Sequence, residues 1–368
     1  MTQISFARGF PGPDLLPLEE FGECAKAALA RDGATAMNYG PPLGYPPLRE
    51  WIGDRHDVPV ERVMVTNGSL QAFNFIARHH VQSGTKVFVE APCYDRSLQI
   101  LRRLGADVEA VPLTDEGLDV DALEEALGRS SGPSLVYTIP TFQNPSGRTL
   151  SEPSRRRLLE VARSRGATIL EDDPYGLLRF AGEPLPRLLE LSGGDGVMFL
   201  SSFSKTVAPG IRVGYAILPE ELMGAMQTLV FENYVSPVMF VEATLYEFAA
   251  RGKFEPNVET IRKGLRARRD AMIGALAREM PEGTSWNEPD GGYFLWVDLP
   301  GGMTGEALLA QAGEVDVTFV KGADFYWNGG GETSVRLAFS YATPAEIDEG
   351  IARLGRLVRE AVAVTATA

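Results

Sequence analysis

From residue 63 to residue 218 the chain alternates short β-branched, apolar runs with longer amphipathic stretches. Val63–Thr66 reads as a strand, Ser69–Val81 as a helix, Lys86–Glu90 as a strand and Asp95–Leu104 as a helix. The alternation continues with a strand at Val108–Val111, a helix at Asp119–Leu127 and a strand at Ser134–Ile139. A helix at Ser154–Arg165, closed by Gly166, precedes strands at Thr168–Glu171, Val197–Ser201 and Val213–Leu218. Strands separated by helices of this length lie side by side, and their near-continuous apolar character predicts burial on both faces. The expected class is α/β, with a mostly parallel seven-stranded sheet between helices.

Beyond residue 218 the pattern changes. Leu222–Arg278 is long and helical, with Arg262, Lys263, Arg266, Arg268 and Arg269 read as a solvated charged face. A strand at Gly292–Asp298, a helix near Gly305–Gly313, strands near Val317–Val320 and Ser334–Ser340, and a terminal helix from Pro344 to about Val364 describe a smaller α+β unit. Gly329-Gly330-Gly331 reads as a turn before a strand, not as a phosphate loop. Pro/Gly-rich stretches occupy 9–17 and 40–47, and no internal repeat is seen. The division expected is an N-terminal segment, 1–32, packing with the small unit, a large unit, 33–255, and a small C-terminal unit, 256–368.

Charge narrows the function. The 368 residues carry a formal net charge of −14. Such a surface repels nucleic acid and anionic membranes, so neither is an expected partner. Two cysteines, Cys24 and Cys93, make no C-x-x-C pair, which argues against a disulfide framework or a cysteine-built zinc site and fits a reducing cytoplasm. The adjacent His79 and His80 project in different directions on a helix, so no metal site is expected there. No apolar run reaches membrane-spanning length, and the opening residues lack a signal-peptide core.

Four short motifs carry candidate chemistry. Ser201-Ser202-Phe203-Ser204-Lys205 follows a strand, with Arg212 in Pro209-Gly210-Ile211-Arg212-Val213-Gly214. Two hydroxyls and an arginine could hold a phosphate there while Lys205 condenses with an aldehyde to form a Schiff base. Glu171-Asp172-Asp173-Pro174-Tyr175 ends a buried strand. A carboxylate there could keep a pyridine nitrogen protonated, and the tyrosine hydroxyl could reach the ring oxygen. Asn144-Pro145-Ser146-Gly147 could aim an amide at the ring edge, and Thr66-Asn67-Gly68-Ser69-Leu70 opens a helix whose first amides can seat an anion. Taken singly these are a solvated lysine, an acidic turn, a proline turn and a lone glycine. Order and spacing together say more.

In that order they resemble the fold-type I pyridoxal-5′-phosphate (PLP) transferases. The resemblance is to the aspartate-aminotransferase-like superfamily, nearest its 2-aminoadipate, kynurenine and aromatic aminotransferase branch, and runs from about Phe6 to Arg356. It implies an aminotransferase moving an amino group from an L-amino acid to a 2-oxo acid by a ping-pong mechanism. Lys205 would be the Schiff-base lysine and proton carrier, Asp172 the pyridine-nitrogen partner, and Tyr175 and Asn144 the ring-oxygen contacts. Gly68, Ser69, Leu70, Ser202, Ser204 and Arg212 would form the phosphate cup, and Tyr94 would stack on the ring. Arg336, in Val335-Arg336-Leu337, would grip the substrate α-carboxylate, with Gly9 and Asn144 beside it. Tyr39 would reach the phosphate of a neighbouring subunit, which implies a homodimer with shared sites.

The pattern departs from that branch near its start. There a substrate-covering segment precedes the motif seen here as Phe6-Ala7-Arg8-Gly9-Phe10-Pro11, whereas five residues precede Phe6 in this chain, so the lid is expected to be missing or truncated. Arg8 stands where relatives carry a small residue and is a candidate substrate contact, or else a surface or interface cation. Phe231–Phe240 offers no cation for a second carboxylate, which favours an apolar or aromatic donor, with 2-oxoglutarate as acceptor. Two other functions are compatible with parts of the pattern. One is different PLP chemistry in the same fold (β-elimination, decarboxylation or oxidation). The other is the effector domain of a transcription regulator, which the acidic charge and the lack of a basic module before residue 6 oppose.

Overall fold

The computed structural model describes residues 3–82 and 84–367, so Met1, Thr2 and Ala368 of the outer units lie outside the described residues. The first strand, β1 (Ile4–Ser5), is followed by helices α1 (Leu18–Ala36) and α2 (Pro46–His56). Then come β2 (Val63–Thr66), α3 (Ser69–Gln82), β3 (Lys86–Ala91), α4 (Asp95–Leu104), β4 (Val108–Thr114), β5 (Gly117–Leu118), α5 (Val120–Arg129) and β6 (Ser134–Thr138). Next are α6 (Glu152–Arg165), β7 (Ala167–Asp172), α7 (Leu188–Ser192), β8 (Val197–Ser202) and β9 (Gly214–Ile217). Helices α8 (Glu220–Tyr234), α9 (Met239–Ala250) and α10 (Phe254–Glu279) precede β10 (Ser285–Trp286), β11 (Phe294–Asp298), α11 (Gly305–Glu314), β12 (Val317–Thr318), β13 (Val320–Lys321), β14 (Ser334–Ala338) and α12 (Pro344–Thr367).

The large sheet has the order β2-β9-β8-β7-β6-β3-β4-β5. Its β4, β3, β6, β7 and β8 pair in parallel, and β9 runs antiparallel to both β8 and β2. The seven expected strands are present; the eighth, two-residue β5, folds back on β4 at the Asp115-Glu116 turn. Alternate residues feed two cores. Val87, Val89, Leu135, Tyr137, Leu170, Met198 and Leu200 face one side, and Phe88, Val136, Ile169, Val197 and Phe199 the other. Helices cover both faces because neither face is polar. Local sequence sets the helix ends. Ser151 caps α6 by accepting from the Ser154 amide, and Gly166 closes it at φ 64°.

Three expectations change. The stretch 222–278 is three helices, because Pro237 and the turn at Gly252 (φ 67°) interrupt it. The single strand expected at 317–320 splits around Phe319, β12 pairing with β1 and β13 with β14. The basic face of α10 is only partly solvated: Lys263 and Arg266 are exposed, whereas Arg268 is buried. Its guanidinium binds both oxygens of Asp14 at 2.7 and 2.8 Å and the Ala342 carbonyl at 3.0 Å.

The stretch 18–56, read from sequence only for its prolines and glycines, carries α1 and α2. Residues 4–6 join the small unit, where Phe6 bonds Thr318 and Ala338 through its backbone. Helix α1 instead lies along α9 of the large unit, so the N-terminal segment divides between the two.

Candidate active site

A cavity of about 950 Å³ opens at the carboxyl ends of the parallel strands, where open α/β sheets bind ligands. Its walls include Asp172 at the end of β7, Ser202 at the end of β8, Tyr94 after β3 and the start of α3. Lys205 follows β8 by three residues, and Arg336 enters from β14 of the small unit. Asn144, Tyr175, Ser69, Leu70, Ser204, Arg212 and Gly9 complete the expected residues along its lining.

Lys205 and Asp172 form the polar centre. The Lys205 ammonium donates to the Gly9 carbonyl, and the Tyr293 hydroxyl fixes the lysine backbone through its carbonyl at 2.8 Å. Burial, and then the cations of Arg336 and Arg212, lower the Lys205 pKa to about 8. Asp172 Oδ2 accepts from the Tyr137 hydroxyl at 2.8 Å, and Ser97 donates to that tyrosine at 3.1 Å. Oδ1 of Asp172 is buried without a partner. Burial raises the Asp172 carboxyl to about 7, against the hydrogen bond from Tyr137. A buried carboxylate with a free oxygen is costly unless a donor or cation meets it.

Arg336 is held for planar recognition. One nitrogen donates to Asn144 Oδ1 and another to the Ala7 carbonyl, each at 2.9 Å, while Nε is buried and unpartnered. Phe294 and Phe325 stack against it, with centroids 4.2 and 5.0 Å from Cζ. The loop carrying Asn144 is braced from beneath. Gln143 donates to Glu90 at 2.9 Å and to the Pro92 carbonyl at 2.8 Å, and Thr138 donates to the same carboxyl at 2.6 Å. Glu90 is fully enclosed, and burial pushes its carboxyl up to about 7.

The other end of the cavity suits an anion. Ser69 and Leu70, which open α3, line it, and Arg212 reaches Ser204 Oγ and the Asn67 carbonyl at 3.4 Å each. Gly68 lies directly behind: at φ 94°, a Cβ there would stand 2.2 Å from Arg212 Nη2. A Cβ on Gly214 would strike the Ser69 amide at 2.2 Å. Both positions require glycine for close approach.

Two expected residues lie elsewhere. Tyr39 is 81% exposed on the outside of the chain. Arg8 is exposed and off the cavity lining of the single chain, its guanidinium stacked on Tyr341 at 4.6 Å from the ring centroid. The aromatic ring offers the cation a contact without taking it out of water. Tyr137, Ser97, Tyr293, Asp95 and Arg96 are site residues that the motifs do not single out. For Tyr137 a signal existed, since an inward-facing tyrosine on a buried strand needs a partner for its hydroxyl.

An enclosed lysine of lowered pKa, a carboxylate with a free oxygen, an amide and phenol pair, and an anion seat fit one group. It would carry an aldehyde, a basic ring nitrogen, a ring hydroxyl and a phosphate, and PLP has all four.

Residues 12–354 match the aminotransferase class I and II family, and the chain belongs to it. It is therefore an enzyme that moves amino groups, built on the fold-type I architecture. It is 39% identical over 365 residues to a 2-aminoadipate transaminase of Thermus thermophilus, covering 98% of this chain and 91% of that one. An aromatic-amino-acid aminotransferase of Thermococcus litoralis is 36% identical, over 97% of this chain and 88% of its own. Among solved structures, an α-aminoadipate aminotransferase from Thermus thermophilus complexed with N-(5′-phosphopyridoxyl)-L-leucine superposes with a TM-score of 0.94 at 37% identity. That match covers 98% of this chain and 93% of that one.

Proposed function

We propose that this amino acid aminotransferase, with pyridoxal 5′-phosphate as its cofactor, takes the amino group from an apolar or aromatic L-amino acid. It passes that group to a dicarboxylic 2-oxo acid such as 2-oxoglutarate. The observation that carries the reading is the convergence of Lys205, the free oxygen of Asp172 and Arg336 on one cavity. When bound, the cofactor supplies a charged ring that accepts the electron pair released as the substrate Cα–H bond breaks.

The chain's own residues do the rest. Lys205 would hold the cofactor and carry the proton taken from Cα; its pKa, lowered to about 8, raises the share of free amine near neutral pH. Asp172 keeps the ring nitrogen charged, and Tyr137 orients that carboxylate. Tyr175 and Asn144 would hold the ring oxygen, Tyr94 would stack on the ring, and Ser69, Leu70, Ser202, Ser204 and Arg212, with Gly68 behind them, would hold the phosphate. Arg336 binds the α-carboxylate as a bidentate fork. Phe10, Phe73, Phe294, Phe325 and Val320 line the space left for the donor side chain and support an apolar or aromatic donor.

A homodimer is part of the proposal. Met37, Tyr39, Phe231 and Val238 are each more than half exposed, and the Gly40 amide donates to Ser236, bringing the two segments together. Such an apolar face suits a second copy, with Tyr39 reaching the partner's phosphate site. The two buried, unpaired thiols suit a reducing cytoplasm, and among the described residues no helix is long and apolar enough to cross a membrane.

The test is a donor-by-acceptor screen of wild type beside Lys205→Ala, with borohydride trapping of the cofactor and peptide mapping. Expected are alternating half-reactions, a reduced adduct at Lys205 and an inactive variant. Trapping at another lysine, or ammonia release without amino transfer, sinks the reading.

A further inference from the structure

An enzyme that alternates an apolar donor with a dicarboxylic acceptor must meet a second carboxylate in the same cavity. Five cationic side chains line it: Arg96, Arg102, Lys205, Arg212 and Arg336. Four are committed. Lys205 and Asp172 make the reacting centre, Arg212 lies at the anion seat, and Arg336 is fixed by Asn144 and Ala7. Arg102 caps the Tyr326 and Trp327 carbonyls at 2.9 and 3.1 Å and stacks on Trp327 at 4.7 Å.

Arg96 is different. It stands at the second position of α4, two residues after Tyr94, with its side chain 59% exposed. Its contacts are loose and local: Asp95 at 3.4 Å and Gln99 at 3.4 Å, both on its own helix. Asp95 also lines the cavity and lies within electrostatic reach of both Arg96 and Arg336. The carboxylate of Asp95 thus feels both guanidinium groups and touches that of Arg96.

We infer that Arg96 binds the distal carboxylate of a dicarboxylic 2-oxo acid whose α-carboxylate sits on Arg336, exchanging its loose pairing with Asp95 for that contact. With an apolar donor bound, Arg96 rests on Asp95 and leaves no cation unpaired against the apolar side chain. Thus one cavity serves two chemistries. A long arginine on the rim makes this exchange without moving the backbone, since its stem is flexible and its head stays partly in water. The inference rests on the dicarboxylic acceptor named above and adds the residue that recognises it.

The amino-loaded enzyme, prepared by exhaustive incubation with the best apolar donor, is mixed with 2-oxoglutarate or with 4-methyl-2-oxopentanoate, and single-turnover rates are followed across acceptor concentration. In wild type the dicarboxylate is favoured. In Arg96→Gln the ratio of the two kcat/KM values falls roughly 10- to 100-fold, chiefly through KM for 2-oxoglutarate, as expected for a lost charged hydrogen bond. Arg96→Lys recovers part of the ratio, and Asp95→Asn raises it. An unchanged ratio in Arg96→Gln, with cofactor absorbance and thermal midpoint like wild type, overturns the inference and leaves the acceptor assignment standing. A wild type that fails to favour the dicarboxylate overturns both. If Arg96→Gln unfolds, Arg96→Met and Asp95→Asn carry the test: a ratio unchanged in both rejects the role.

Discussion

The hydroxyl of Tyr137 donates a 2.8 Å hydrogen bond to Asp172 Oδ2, leaving the second oxygen of that carboxylate enclosed and free. The bond favours the ionised carboxylate against burial, so one residue deep in the sheet sets the charge offered to the cofactor ring. Tyr137→Phe removes the donor with little change in shape. We expect kcat/KM to fall about tenfold, with faster cofactor loss, because a hydrogen bond to a charged group contributes ~1.5–3 kcal/mol. Since burial is then opposed only by the charge of Lys205, the loss is steepest on the acid side. Steady-state rates across pH and the dissociation rate of the cofactor check this, and a flat ratio of variant to wild type at all pH values contradicts it.

Cofactor capture by the stripped protein is expected to quicken as pH rises through about 8, because only the unprotonated Lys205 amine attacks an aldehyde. The cation of Arg336 disfavours the protonated lysine. Arg336→Met therefore moves the midpoint to higher pH and slows capture at neutrality. Stopped-flow absorbance at several pH values measures the midpoint; a shift to lower pH is inconsistent with this electrostatic picture.

Gly68→Ala tests the anion seat. The added methyl meets Arg212 at 2.2 Å at a backbone φ of 94°, whereas Gly105, at φ 67°, has nothing within 4 Å of its Cβ position. Both alanine variants carry backbone strain of about 1–3 kcal/mol. Only Gly68→Ala should also weaken cofactor retention, by displacing the arginine. Thermal midpoints paired with cofactor titrations separate the two effects.

Glu242 governs a pH dependence of stability. It is buried, Oε2 accepts from the Tyr45 amide at 2.6 Å, and Oε1 has no partner. Burial raises its carboxyl from 4.5 to about 8. A group whose folded pKa is raised contributes stability that is full below pH 4.5 and is lost as pH climbs through about 8. Glu242→Gln keeps an acceptor and never ionises, so it should be more stable than wild type above pH 8 by on the order of 1–3 kcal/mol. Denaturant unfolding at pH 6 and pH 9 gives the comparison, and an identical slope with pH in both proteins refutes it.

Much of the architecture is legible because its strands are short, apolar and bounded by turn residues. The strand expected at Thr168–Glu171 is Ala167–Asp172, and Gly166 ends the preceding helix as expected. Errors arise where two constraints compete. Around 235–238 helical periodicity hides a break made by Val235 at φ 66° and Pro237, and at 317–320 a continuous apolar run serves two different sheets. The site splits in the same way. Motif residues at strand ends are readable because the strand fixes where they point. The carbonyls of Ala7 and Gly9, which meet Arg336 and Lys205, are invisible to sequence because every residue has one.

Those two carbonyls also bear on how such an enzyme can diversify. The opening ribbon touches its most important partners through the main chain, so side chains at 7, 8 and 10 are free to drift without disturbing either grip. Gly9 is the restricted position, since a Cβ there would stand 2.8 Å from Phe294. Substrate preference can thus be retuned from this edge by ordinary mutation while the chemistry stays fixed, a separation of what may vary from what must not.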